Sequence, residues 1–170
     1  MSSDWDRISL EVLHRHIVVT HLKDRAAGVH EDLQRQASQS GEPLGRLLAE
    51  CVKLHYPKRT DFQDDNWYVG EVPLDRCYFA HEDFRTYPVP KGERFVDFMH
   101  DKRQAIESGL FPYSSQICAP WPGPMPEPLA QEREEPEKYY ILDGQLRVIW
   151  HWYHNVPNVR MFIYREKCKL

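Results

Sequence analysis

Six of the 13 prolines in this 170-residue chain, Pro120, Pro122, Pro124, Pro126, Pro128 and Pro136, fall in one short stretch. Proline has no backbone N–H to donate and holds φ at roughly −65°, so neither a helix interior nor an inner β-strand tolerates such a density. The same stretch, residues 120–138, carries Glu127, Glu132, Glu134, Glu135 and Glu137 against Arg133 and Lys138, five acids to two bases, net −3. It reads as a semi-extended excursion on a β-hairpin, too polar to pack. The ordered body is then expected from the chain on either side of it.

That body has enough apolar material to form. Hydrophobic residues make up 41% and aromatics 12%, with only 8 glycines, which suits one compact domain or one domain with a helical extension. With 28% charged residues and a mean hydropathy of −0.67, the chain reads as soluble. The longest apolar run near its start, Ile17 to Val19, falls far short of the roughly 20 residues of a membrane span and has no signal-peptide layout. A cytoplasmic address with no membrane partner is expected. Cys51, Cys77, Cys118 and Cys168 are scattered without a C-x-x-C pair, so they read as buried fillers and not as zinc ligands or a redox pair. The net charge of −4 argues against coating nucleic acid through bulk charge and restricts any contact to a local basic face.

The first third reads as helix. Trp5, Ile8, Val12, Leu13, Ile17 and Leu22 recur at helical spacing behind Asp4, a good N-cap; Val29 to Ala37 gives a second helix closed near Gly41; Pro43 starts a third, which ends before Pro57. Residues 1–56 are thus expected as a helical module, followed by a polar bridge over 58–66. From Trp67 the rhythm changes to alternating strands and helices. Strands are predicted at 67–72, 76–79, 114–119, 139–142 and 159–164, and helices over 91–108 and from about 145 to His154.

Asp143-Gly-Gln-Leu-Arg147 follows an apolar strand at the mouth of a helix. A glycine there lets backbone approach a ligand closely, first-turn amides present the positive end of the helix dipole, and Arg147 can fork two hydrogen bonds onto phosphate oxygens. The same turn also serves as plain chain reversal, and Asp143 has three readings: first a cap on Gln145, then a sugar-hydroxyl acceptor or a water-mediated metal partner. The histidines give no metal centre: His14 and His16 do not share a helix face, and His151 and His154 have no acid at matching spacing. The tail, residues 139–170, carries Arg147, Arg160, Arg165, Lys167 and Lys169 against Asp143 and Glu166, five bases to two acids, net +3, with Trp150, Trp152, Tyr153 and Tyr164 interleaved. Such a face can track a phosphodiester backbone and stack bases, although aromatics at helical spacing are more often core.

Taken in order, Val72-Pro-Leu-Asp75, His81-Glu-Asp-Phe-Arg85, Ile106-Glu-Ser-Gly-Leu-Phe-Pro112, Tyr140-Ile-Leu-Asp-Gly-Gln-Leu-Arg147 and Val156-Pro-Asn-Val-Arg-Met-Phe-Ile-Tyr164 resemble the ParB/sulfiredoxin superfamily over about residues 67–165. The resemblance implies a mixed α+β fold, a ParB/sulfiredoxin-like domain over 67–170 preceded by the helical module. It implies a nucleotide pocket formed by Arg85, Gly144, Gln145 and Arg147, with Glu82, Asp143 and Arg147 as catalytic candidates and ATP or another nucleoside triphosphate with Mg²⁺ as cofactor. Gln145 stands where sulfiredoxins carry the reacting cysteine, which argues against peroxiredoxin repair. The chain stops at Leu170 without a downstream helix-turn-helix, which argues against a complete partition clamp.

The resemblance leads first to a nucleotide-binding protein acting on DNA, an ATPase or nuclease-like accessory of plasmid transfer or DNA modification, touching DNA through Arg147, Arg160, Arg165, Lys167 and Lys169. A second reading is a kinase of free serine, in which Glu82 takes the proton from the attacking hydroxyl. A third is a degenerate domain serving as an interaction module, with the N-terminal helices or the 120–138 arm as the surface for a protein partner.

Overall fold

The structure is a computed structural model that describes residues 5–23, 26–82, 89–111, 114–133 and 137–166. It is a mixed α+β fold divided into two compact units, one of Asp6–Tyr68 and one running from Val69 onward together with Trp5.

In the first unit the chain begins with a short strand, β1 (Asp6–Arg7), and not with helix as the apolar spacing predicts. Helix α1 (Leu10–His16) starts only at Ser9, whose hydroxyl accepts the Val12 amide at 3.2 Å, and it runs on into a π-helical turn over Ile17–His21. Asp4, the expected cap, lies outside the described residues. Helices α2 (Val29–Ser40) and α3 (Leu44–His55) follow the expected bounds: Gly41 closes α2 in the left-handed conformation, and Pro43 opens α3. Leu13, Ile17, Leu48 and Val52 are fully buried, each worth about 1.5–3 kcal/mol. The polar bridge is partly core as well, because a 3-10 turn over Thr60–Gln63 buries Phe62. His14 is 2% exposed and donates from Nε2 to the Phe62 carbonyl at 2.6 Å; burial holds its pKa below the usual 6.5.

The second unit is built on strands β2 (Trp67–Pro73), β3 (Cys77–Phe79), β4 (Leu129–Glu132), β5 (Tyr139–Asp143) and β6 (Asn158–Arg165). Within this unit the strand order is β2-β6-β4-β5-β3. Strand β4 is antiparallel to β5 and parallel to β6, while β3 is parallel to β5 with Phe79 beside Ile141. Helices α4 (Phe95–Asp101), α5 (Arg103–Glu107) and α6 (Ser114–Cys118) precede β4, and α7 (Gln145–Tyr153) links β5 to β6. Phe79, Phe95, Met99, Ile106, Ile141, Val148, Ile149, Met161 and Ile163 belong to one core cluster. Trp5 packs against Gly70: a Cβ there would fall inside its indole, so only glycine fits.

Three expectations change. The helix over 91–108 is two helices, broken at Lys102 with φ −98° and ψ 3°. The segment 114–119 is helical, not a strand, closed where the Trp150 indole N–H donates to the Ala119 carbonyl at 3.1 Å. The proline-rich excursion over 120–138 is not wholly outside the body: residues 129–132 within it are β4, an inner strand in which Leu129 and Ala130 are fully buried. Pro128 ends the alternation of prolines one residue before the ladder starts, so every β4 residue keeps its N–H.

Candidate functional site

Parallel strands β3 and β5 are neighbours in register, so both leave the sheet at the same end. Beyond β3 the chain continues through Ala80 to His81 and Glu82, both exposed. Beyond β5 it turns through Asp143 and Gly144 into α7. The topology thus brings Glu82 and the Asp143–Arg147 turn to one end of the sheet, where parallel strands commonly carry their ligands. Arg85 lies outside the described residues.

The turn itself is tightly built. Asp143 Oδ1 accepts the Gly144 amide at 2.7 Å. Gly144 is the N-cap of α7 with φ 84° and ψ 28°, the left-handed region that glycine adopts without strain. A Cβ built on it would lie 2.9 Å from Arg147 Nη2 and 3.0 Å from the Pro128 Cα. Gln145 is 9% exposed and Arg147 only 7%. No acid stands in the first turn of α7, which suits an anion at the positive end of the helix dipole.

Arg147 is not presented outward as the motif alone suggests. Its guanidinium folds back over Gly144, and Nη1 donates to the carbonyls of Pro126 at 3.1 Å and Glu127 at 3.2 Å. These two carbonyls are the site partners that sequence reasoning missed. A signal for them exists: a segment in which every second residue is proline keeps all its carbonyl acceptors but loses half its N–H donors, so it needs donors from elsewhere.

The basic tail is likewise engaged by the proline-rich segment. Arg160 Nε lies 3.3 Å from Glu127 Oε1, and Arg165 Nε 3.1 Å from Glu132 Oε1. Glu132 and Arg165 are register partners on parallel strands, so two acids of the arm meet two bases of the tail along β6. Lys167 and Lys169 lie outside the described residues. Of the tail aromatics, Trp152 is buried in the core, and Trp150 stacks on His154 at 4.1 Å between centroids. Burial pushes the Cys77 thiol far above its ordinary range, with Asp75 adding to the effect. Among the described residues no group of three or more His, Cys, Asp or Glu stands where it would hold a metal, and no helix is long and apolar enough to cross a membrane.

Comparison with protein-family models, curated proteins and solved structures finds no match to the chain.

Proposed function

We propose that this chain is a ParB/sulfiredoxin-type nucleotide-binding protein that takes a nucleoside triphosphate at the β5–α7 turn and acts on DNA. The observation that carries this reading is the left-handed Gly144 at the head of α7 with the Arg147 guanidinium laid over it. A glycine without a Cβ, a first helical turn without an acid behind the Asp143 carboxylate that holds the Gly144 amide, and an arginine fork of donors together make a cradle for phosphate oxygens. Mg²⁺ would be carried largely by the phosphates and water, as is usual for this ion. Glu82, exposed at the same end of the sheet, is the carboxylate available to orient a water or hydroxyl against the γ-phosphate.

That same carboxylate favours a second reading, phosphoryl transfer to a small hydroxylated molecule such as free serine. One experiment separates the two. The protein is incubated with Mg-ATP and either plasmid DNA or serine, alongside Glu82→Ala and Arg147→Lys. Nucleotide turnover or nicking that needs DNA supports the first reading, and phosphoserine lost in Glu82→Ala supports the second. Millimolar Mg-ATP over a micromolar site stabilises a fold by about 4 kcal/mol, so a melting temperature unmoved by any nucleotide overturns both.

A further inference from the structure

Resting on the nucleotide reading above, we propose that residues 120–128 form a strap that competes with the ligand's phosphates for Arg147, so that nucleotide binds by lifting the strap off the guanidinium.

The strap is fixed at both ends and clipped near one of them. At its start the Trp150 indole holds the Ala119 carbonyl, and at its end the Phe162 amide donates to the Pro128 carbonyl at 2.9 Å. Between these points Pro122, Gly123 and Pro124 are exposed. The clip is at Pro126 and Glu127, whose carbonyls share Arg147 Nη1; the Glu127 side chain reaches Arg160. Prolines at 120, 122, 124, 126 and 128 bias the residues in between toward extended conformations, with Gly123 at φ 85° the exception. A polyproline helix has three residues per turn, so prolines spaced by two fall on all its sides and leave no dedicated proline face for a docking groove. The segment is built as a stiff strip of acceptors, which matches a strap better than it matches a peptide ligand.

The acceptors it offers Arg147 are neutral carbonyls. A phosphate offers charged oxygens in a geometry that accepts two guanidinium N–H groups at once, so it is the stronger partner for the same donors. The closed form seen here then lowers apparent affinity by the fraction of molecules in which the clip is shut. Gly123, with φ 85°, breaks the extended run at the exposed middle of the strap, where a hinge would have to lie.

Two variants test this. Pro124→Gly/Pro126→Gly restores backbone freedom beside the clip and is expected to bind Mg-ATP about tenfold more tightly than wild type by calorimetry. Met125, half-buried in the strap, gives a direct report of the motion when replaced by a thiol. In Met125→Cys the alkylation rate at position 125, followed by mass spectrometry on the peptide that contains it, is expected to rise several-fold when Mg-ATP is added. If wild type binds Mg-ATP while the glycine variant binds equally well and the labelling rate at position 125 is unmoved, the strap is overturned and the nucleotide site stands. If neither wild type nor either variant binds Mg-ATP, the nucleotide site is overturned and the strap with it.

Discussion

Residues 120–128 and 129–132 are contiguous and joined by one peptide bond, yet the middle of the first stays at the surface while the second enters the sheet. Pro122, Gly123 and Pro124 lie exposed. A few residues later Leu129 and Ala130 are fully buried in an inner strand between β5 and β6. Polarity does not separate them, since each stretch mixes apolar side chains with a glutamate. Hydrogen-bonding capacity does, because the strap can mostly only accept, through its carbonyls, whereas β4 retains every N–H and can enter a ladder on both edges. Polarity averaged over a window is thus a poor guide to burial when donors are distributed unevenly within it.

The sharpest way to break this comparison is to place a polar change on each side of Pro128. Ala130→Asp puts an unpaired carboxylate at a fully buried position of an inner strand and is expected to cost more than about 4 kcal/mol, enough to unfold the second unit. Pro124→Ser, in the exposed strap, is expected to stay within about 0.5 kcal/mol of wild type. Urea titration of both proteins reads the difference. Equal midpoints would mean that β4 is not the structural strand its register describes.

The boundary between the two stretches is tested next by Gly144→Ala. The residue holds φ 84°, a conformation that costs an L-residue about 1–2 kcal/mol. The added methyl also meets Arg147 and the Pro128 backbone at 2.9 and 3.0 Å, and Pro128 cannot move without disturbing the start of β4. Strain and overpacking together are expected to cost about 2–4 kcal/mol. An alanine variant as stable as wild type would show that the strap does not bear on the turn.

How far these features are legible in the sequence follows from how local they are. The bounds of α2 and α3 can be read because Gly41, Pro43 and Pro57 punctuate them within a few residues. The order β5, turn, α7, β6 is legible for the same reason, through apolar runs and an Asp-Gly pair. Strand β4 is not, since its four residues Leu-Ala-Gln-Glu carry too little alternation to stand out, and its partner β6 lies 33 positions on in register. Helix α6 reads as a strand because Ile117 is the one side chain among its described residues that is fully buried, and one buried side chain has no periodicity. Arg147 stands out as the arginine of the turn. Its partners, 20 and 21 residues earlier, are set by the strand order, which no short window contains. The charges teach the same lesson, for the acidic arm and the basic tail look like separate surfaces until β4 and β6 are seen to be adjacent.

That adjacency supports a last and smaller test, on two ion pairs that join the same two stretches to β6. Glu132 and Arg165 face each other across the β4–β6 ladder, with side chains 13% and 33% exposed, whereas Glu127 and Arg160, on the strap side of Pro128, are 27% and 57% exposed. Attraction between charges weakens as water screens them, and an exposed pair must also immobilise two long side chains. Double-mutant cycles with alanine are expected to give a coupling of about 1 kcal/mol for Glu132 with Arg165 and about 0.3 kcal/mol for Glu127 with Arg160. Raising the salt concentration should erase the second coupling before the first, because the less exposed pair is less screened. The reverse order would place the firmer attachment on the strap, and the difference between the two sides of Pro128 would then lie in their charges, not in their donors.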